Sequence, residues 1–243
     1  MARERELKRR PQDHEVGLEM VRAIIALGGQ QLSHSDPEQL TSRYLDSRDH
    51  ALALGQVGLR ARGRQGQTPA RWTIKVGALP DQRGVSEAAE FEIDGSWDVM
   101  PPVLVVALRG VGVADQLVEI ARFKTLRERW VIDLSGVELE VCLDAVTVEA
   151  PQPYAFLELE VEAHERSVLD WLGDEFAHLF PTVPPSSQSK LATALMGETQ
   201  YTLGLASPSQ SRPELGRRLV QLLDGVDCQL PPWAARRTAH EGC

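Results

Sequence analysis

Residues 138–144 read Glu138-Leu139-Glu140-Val141-Cys142-Leu143-Asp144. Successive side chains of a β-strand point to opposite faces, so Glu138, Glu140, Cys142 and Asp144 share one face and Leu139, Val141 and Leu143 the other. The period of two returns in Glu4-Arg5-Glu6-Leu7-Lys8, and in residues 59–62, 72–76, 90–93, 127–131 and 157–162. Taken singly, each is an antiparallel strand with a solvated face. As a set they are unlike a solvated surface, which mixes signs. Arg60 with Arg62 and Arg127 with Arg129 are basic; Glu90 with Glu92, Glu138 with Glu140, and Glu158 with Glu160 are acidic. Like charges two apart on one face repel unless a counter-ion joins them.

The segments between these strands supply helices. Asp13 can cap one that carries Val16, Leu18, Met20, Val21, Ile24, Ile25 and Leu27 at helical spacing and stops at Gly28-Gly29. Another is predicted over Ser167–Leu179, a partly helical stretch over Val103–Val118, and a short helix through Leu191, Leu195 and Met196 to Gly197. Arg43–Ser47 reads as a further strand. Amphipathic helices need an apolar surface, and the apolar backs of the strands provide one. The α+β arrangement that meets both demands is a closed antiparallel barrel turned inside out, with a charged interior and helices packed outside. A charged interior is tolerable only if acids, bases and a ligand neutralise one another. Clustered Arg and Lys suit phosphate, and clustered Glu suits a hard divalent cation. A polyphosphate chelated by Mg²⁺ answers both.

The chain has 243 residues, 42% of them hydrophobic, and a formal net charge of −9. These values give a globular protein and argue against nucleic acid as a partner. Cys142, Cys228 and Cys243 include no C-x-x-C pair, which fits a reducing compartment and excludes a cysteine zinc site. No leader-like or membrane-length apolar run is present, so a cytoplasmic protein is expected. Residues 1–205 are expected to form the barrel domain. Residues 206–243 read as a linker, one short helix over Arg217–Leu223 and a loose tail, so truncation after about Leu205 should leave activity largely intact. By strand parity Trp72, Phe91 and Trp130 face outward, and Phe156 is in phase with Glu158 and Glu160 near a mouth. The interior should therefore offer little to stack on. His14, His34, His50, His164 and His178 read as surface residues in helices or loops.

These elements, in this order, resemble the CYTH superfamily of triphosphate tunnel metalloenzymes, and within it the bacterial inorganic triphosphatases. The matching residues are Glu4-x-Glu6-x-Lys8, Tyr44-Leu45-Asp46, Gly58–Arg62, Trp72–Lys75, Glu90-Phe91-Glu92, Lys124–Trp130, Glu140–Asp144, Glu158-Leu159-Glu160 and Ser189-Lys190, within residues 2–204. The resemblance implies an eight-stranded antiparallel tunnel that hydrolyses inorganic triphosphate to pyrophosphate and phosphate with Mg²⁺ or Mn²⁺. A class IV adenylyl cyclase or a nucleoside or thiamine triphosphatase is the alternative within the enzyme class. A polyphosphate-binding module without turnover is the alternative outside it.

By the same resemblance, Lys8, Arg60, Arg62, Lys75, Arg127, Arg129 and Lys190 would bind the triphosphate. Glu6, Glu158 and Glu160 would hold the metal. Glu4, with Glu90 or Glu92, would hold a second ion or orient the attacking water, which makes Glu4 and Lys8 the catalytic candidates. The partner is a small triphosphate, and a monomer or homodimer is expected. Members of the family often carry an arginine two residues before the E-x-E of the Glu90 strand; here that residue is Ala88. The bacterial branch often continues into a helical, histidine-rich CHAD domain, and this chain is expected to stop short of one.

Overall fold

The alternating segments become eight strands: β1 (Ala2–Arg9), β2 (Gly29–Ser47), β3 (Val57–Arg64), β4 (Ala70–Gly77), β5 (Val85–Gly95), β6 (Leu117–Leu134), β7 (Val137–Val148) and β8 (Tyr154–Ala163). In this computed structural model, which describes residues 1–64, 69–77, 80–149, 153–186, 189–192 and 213–227, they close into an antiparallel barrel in the order β1-β5-β4-β3-β2-β6-β7-β8. The seam is β1. Glu4 stands opposite Ala88 of β5, and Lys8 stands opposite Glu160 of β8.

The barrel is apolar outside, as the parity requires. Five helices are described: α1 (His14–Ala26), α2 (Ala51–Leu54), α3 (Pro102–Gly110), α4 (Arg166–Leu179) and α5 (Pro213–Asp227). The Asp13 side chain caps α1 by accepting the Val16 N–H at 2.8 Å. Met20, Val21 and Ile24 of α1 and Leu169, Leu172 and Phe176 of α4 bury Leu7, Val141, Leu159 and Val161 on one flank. On the other, Leu104 and Leu108 of α3 and Leu219 and Leu223 of α5 cover Leu59, Trp72, Ile74 and Phe91. Among the described residues no helix is long and apolar enough to cross a membrane.

Four sequence expectations need correction. First, β2 begins at Gly29 rather than Arg43, and β6 at Leu117 rather than Arg127, whereas the partly helical stretch expected over Val103–Val118 is found as Pro102–Gly110 with a 3-10 turn at Ala114–Gln116. The first half of β2 is polar and exposed, so it shows no alternation to read. It is held by its ladder with β6, whose register slips between Gln31 and Ser33 and between Ser35 and Glu38, around Pro37. Second, His34 therefore lies in a strand, stacked parallel on Trp130 with centroids 4.7 Å apart. Third, the helix expected over Arg217–Leu223 runs from Pro213 to Asp227 and is packed, with Leu219 and Leu223 fully buried. Gly216 permits that approach, because a Cβ there would sit 2.7 Å from the Gly55 carbonyl oxygen. The boundary expected at 205/206, the rest of the helix expected after Leu191, and Cys228 and Cys243 lie outside the described residues.

Fourth, the interior is charged over only part of its length. Where β7 passes into β8, Tyr44, Phe123, Val146, Val148 and Leu191 pack into an apolar plug beside Tyr154 and Phe156. The inward residues of β8 thus change along the strand from Tyr154 and Phe156 to Glu158, Glu160 and Glu162.

Candidate functional site

The charged part of the interior encloses a chamber of about 320 Å³. Glu4, Glu6 and Lys8 of β1 line it because the strand period of two turns all three inward. Arg60 and Arg62 of β3, Lys75 of β4, Glu90 of β5, Arg127 of β6 and Glu160 of β8 reach it for the same reason, and Lys190 enters from the segment after α4. The structure therefore brings together ten of the residues singled out in the sequence.

Three others stand apart from the chamber wall. Glu158 is fully buried behind it, with Arg10 at 3.0 Å and Lys190 at 3.2 Å. Burial, ahead of any neighbour, raises its carboxyl above the usual range. Arg129 is half exposed and donates to Glu140 at 2.6 Å, and Glu92 accepts from Arg71 at 2.9 Å. Both are in phase with their strands but sit too far along the barrel axis.

Residues that were not singled out complete the site. Glu162 lines the chamber, directly across the ladder from Glu6. One carboxylate oxygen from each of Glu4, Glu6 and Glu162 lies within 4.8 Å of the other two. Asp144 is fully buried beneath the basic wall, where Arg127 donates to its two oxygens at 2.7 and 2.6 Å and Lys190 donates at 2.6 Å. Tyr44 also lines the chamber, its ring 5.0 Å from that of Phe123, which overturns the expectation of an interior with little to stack on. Glu162 and Asp144 belong to inward triplets visible in the sequence. Tyr44 stands opposite Arg60 across the β2–β3 ladder, a pairing that one strand read alone does not mark.

The electrostatics divide the acids into two kinds. Burial would raise the Glu6 carboxyl, but Lys8 and Lys75 outweigh it and hold it down at about 2. Burial opposes ionisation of Glu160 as well, and Lys190 and Lys8 again win, leaving it well below the usual range. Glu162 has no such partner among the described residues. Burial, then repulsion from Glu4 and Glu160, pushes it up to about 9. Glu90 is pushed to about 7 by burial and then by Glu4 and Glu92. On the basic side, burial and the neighbouring Arg60 and Arg127 lower Arg62 to about 10. The chamber thus crowds the acids Glu4, Glu6 and Glu162 together on one side and guanidinium groups on the other. Three convergent carboxylates, one of them without a counter-ion, fit a hard divalent cation.

The domain model for CYTH proteins matches residues 2–195. The chain belongs to the CYTH domain family. Two uncharacterized proteins of Mycobacterium tuberculosis are each 34% identical to it over 119 residues, a match that covers 48% of this chain and only 22% of theirs. This CYTH chain shares its fold with a Hippeastrum protein described as a candidate adenylyl cyclase with a dominant triphosphatase activity. The TM-score is 0.53 at 20% identity, over 82% of this chain and 98% of that one. A candidate adenylate cyclase of Bacillus halodurans superposes with a TM-score of 0.52, also at 20% identity, over 79% and 98%.

Proposed function

We propose that this CYTH chain hydrolyses a phosphoanhydride bond of a triphosphate with Mg²⁺ or Mn²⁺, and that inorganic triphosphate is its preferred substrate. The observation that carries this reading is the chamber itself, where Lys8, Arg60, Arg62, Lys75, Arg127 and Lys190 converge beside the Glu4–Glu6–Glu162 carboxylates. The cations come from four strands and one flanking segment, so they surround a row of phosphates rather than one. Guanidinium groups supply bidentate contacts and lysines supply point charges. A divalent ion on Glu4, Glu6 and Glu162 would polarise phosphoryl oxygens and offset developing charge. Glu90, with its carboxyl near 7, can take a proton from an attacking water at neutral pH. The triphosphatase activity of the Hippeastrum neighbour favours hydrolysis over cyclisation.

A second reading, an organic triphosphate, is favoured by one observation: Tyr44, Leu54, Val57 and Leu191 also line the chamber and could meet a base or another apolar group. Phosphate release from tripolyphosphate, ATP and thiamine triphosphate, each with Mg²⁺ and with Mn²⁺, separates the two. We expect kcat/KM for tripolyphosphate to exceed that for ATP by about tenfold, or roughly 1.4 kcal/mol. Equal use of ATP, or a cyclic product, would assign the organic substrate, and binding without any turnover would leave a non-catalytic module.

The two in-phase arginines of β6 give a sharper test of placement. Arg127→Ala should lower tripolyphosphate turnover about a hundredfold, the usual scale for losing one donor to developing charge. Arg129→Ala, whose guanidinium already pairs outside the chamber, should lower it by less than about threefold, in keeping with an exposed ion pair. Equal losses in the two variants would extend the binding surface past the chamber.

A further inference from the structure

Lys75 does not sit beside its own neighbours. It stands on β4 opposite Glu90 of β5, yet its Nζ lies 2.8 Å from Glu4 and 2.9 Å from Glu6 on β1, one strand further round. The ammonium crosses β5 over Ala88 and Ser86, the small residues that stand opposite Glu4 and Glu6. The short Ala88 side chain leaves the gap that Lys75 spans.

We infer that Lys75 is a resident counter-ion of the metal site: it neutralises Glu4 and Glu6 while the chamber is empty, and must leave them for phosphate before a divalent ion can take all three carboxylates. This rests on the metal-dependent reading above. The two lysines near Glu6 differ in how free they are to leave. Lys8 is 8% exposed and wedged between Glu6 at 2.9 Å and Glu160 at 3.2 Å. Lys75 is 30% exposed and faces the chamber. One ammonium shared by two carboxylates leaves Glu162 uncompensated, whereas a divalent ion would satisfy all three. The ammonium and the ion compete for the same oxygens, and a bound triphosphate gives the ammonium somewhere else to go. Metal and triphosphate then each strengthen the binding of the other, and by linkage the effect is reciprocal.

The test uses Mn²⁺ alone, followed by the electron paramagnetic resonance signal of the free ion, and tripolyphosphate alone in EDTA, followed by calorimetry. Lys75→Met should bind Mn²⁺ at least tenfold more tightly than the wild-type chain and tripolyphosphate at least tenfold more weakly. A lysine that only props up the fold would not move the two affinities in opposite directions. Lys75→Gln, which keeps an amide donor for Glu4 and Glu6, should likewise tighten Mn²⁺ and weaken tripolyphosphate, and serves if the methionine variant does not fold. Mn²⁺ binding that is unchanged or weaker in both variants, yet lost in Glu162→Gln, would overturn the role of Lys75 and leave the metal site standing. Mn²⁺ binding that survives Glu162→Gln, or is absent from every form, would overturn the metal site and this inference with it.

Discussion

Glu162→Gln is expected to cut tripolyphosphate turnover at least about a hundredfold and, in the same protein without metal, to raise the melting temperature. The first effect follows from the ligand count. Removing one of three convergent carboxylates weakens the hold on an ion that supplies several kcal/mol of charge stabilisation, and about 2.7 kcal/mol is already a hundredfold in rate. The second follows from repulsion. The Glu162 carboxyl, ordinarily near 4.5, sits at about 9 in the folded chain. Between those values the folded protein keeps a proton that the unfolded chain releases, so stability without metal falls as pH rises from about 4.5 to about 9. The glutamine removes that loss. Each kcal/mol recovered raises the melting temperature by about 2–4 °C in a chain of this size. Melts in EDTA across that pH range, set beside turnover at saturating Mn²⁺, check both halves. The difference between the proteins should vanish below pH about 4. A variant that melts lower at pH 8 would show that Glu162 is paired with a cation, and near-normal turnover would remove it from the site.

A chain ending at Leu205 is expected to lose most of its stability, against the sequence-based view that residues 206–243 are dispensable. Leu219 and Leu223 of α5 are fully buried against α3 and the barrel. Emptying one such leucine position costs about 2–5 kcal/mol, and two approach the total stability of an ordinary domain. Leu219→Ala and Leu223→Ala should each lower the melting temperature by about 4–20 °C. Their turnover at low temperature should stay near wild type, because none of the described side chains of α5 lines the chamber. A truncated chain that melts where the full chain does would show that α5 packs without contributing.

What the sequence could reveal depended on which coordinate of the barrel a residue's role required. Parity gives the face. It placed Glu4, Glu6, Lys8, Arg60, Arg62 and Lys75 inside correctly, because alternation is a local property of one strand. Depth along the axis is set by register between strands, and a single strand carries no mark of it. Arg129 and Glu92 share a face with Arg127 and Glu90 and still miss the chamber, while Glu162 meets Glu6 only through the β1–β8 ladder. Glu162 was nevertheless within reach. It is the third member of an inward triplet whose first two residues were singled out. Asp144 was within reach for the same reason, since Arg127 needs an acid across the ladder. Tyr44 was not, because it meets the chamber through its pairing with Arg60 across the β2–β3 ladder, and nothing within β2 marks that partner. The exposed first half of β2 escaped notice because a polar strand held by its neighbour has no pattern of its own.

The seam at β1 also governs how the barrel can be made. Of the eight barrel strands β1 is made before the others, and its second edge waits longest, since Lys8 pairs with Glu160. At about 5–20 residues per second that wait is roughly 8–30 s of synthesis. Closing so distant a contact is slow on any pathway. Through that interval β1 is an open edge, and an unpaired strand is a hazard for self-association. The charges of Glu4, Glu6 and Lys8 keep one face of that edge hydrated until β5 and β8 arrive. The residues read here as the working face of the chamber would thus have an earlier task, as gatekeepers of the nascent chain.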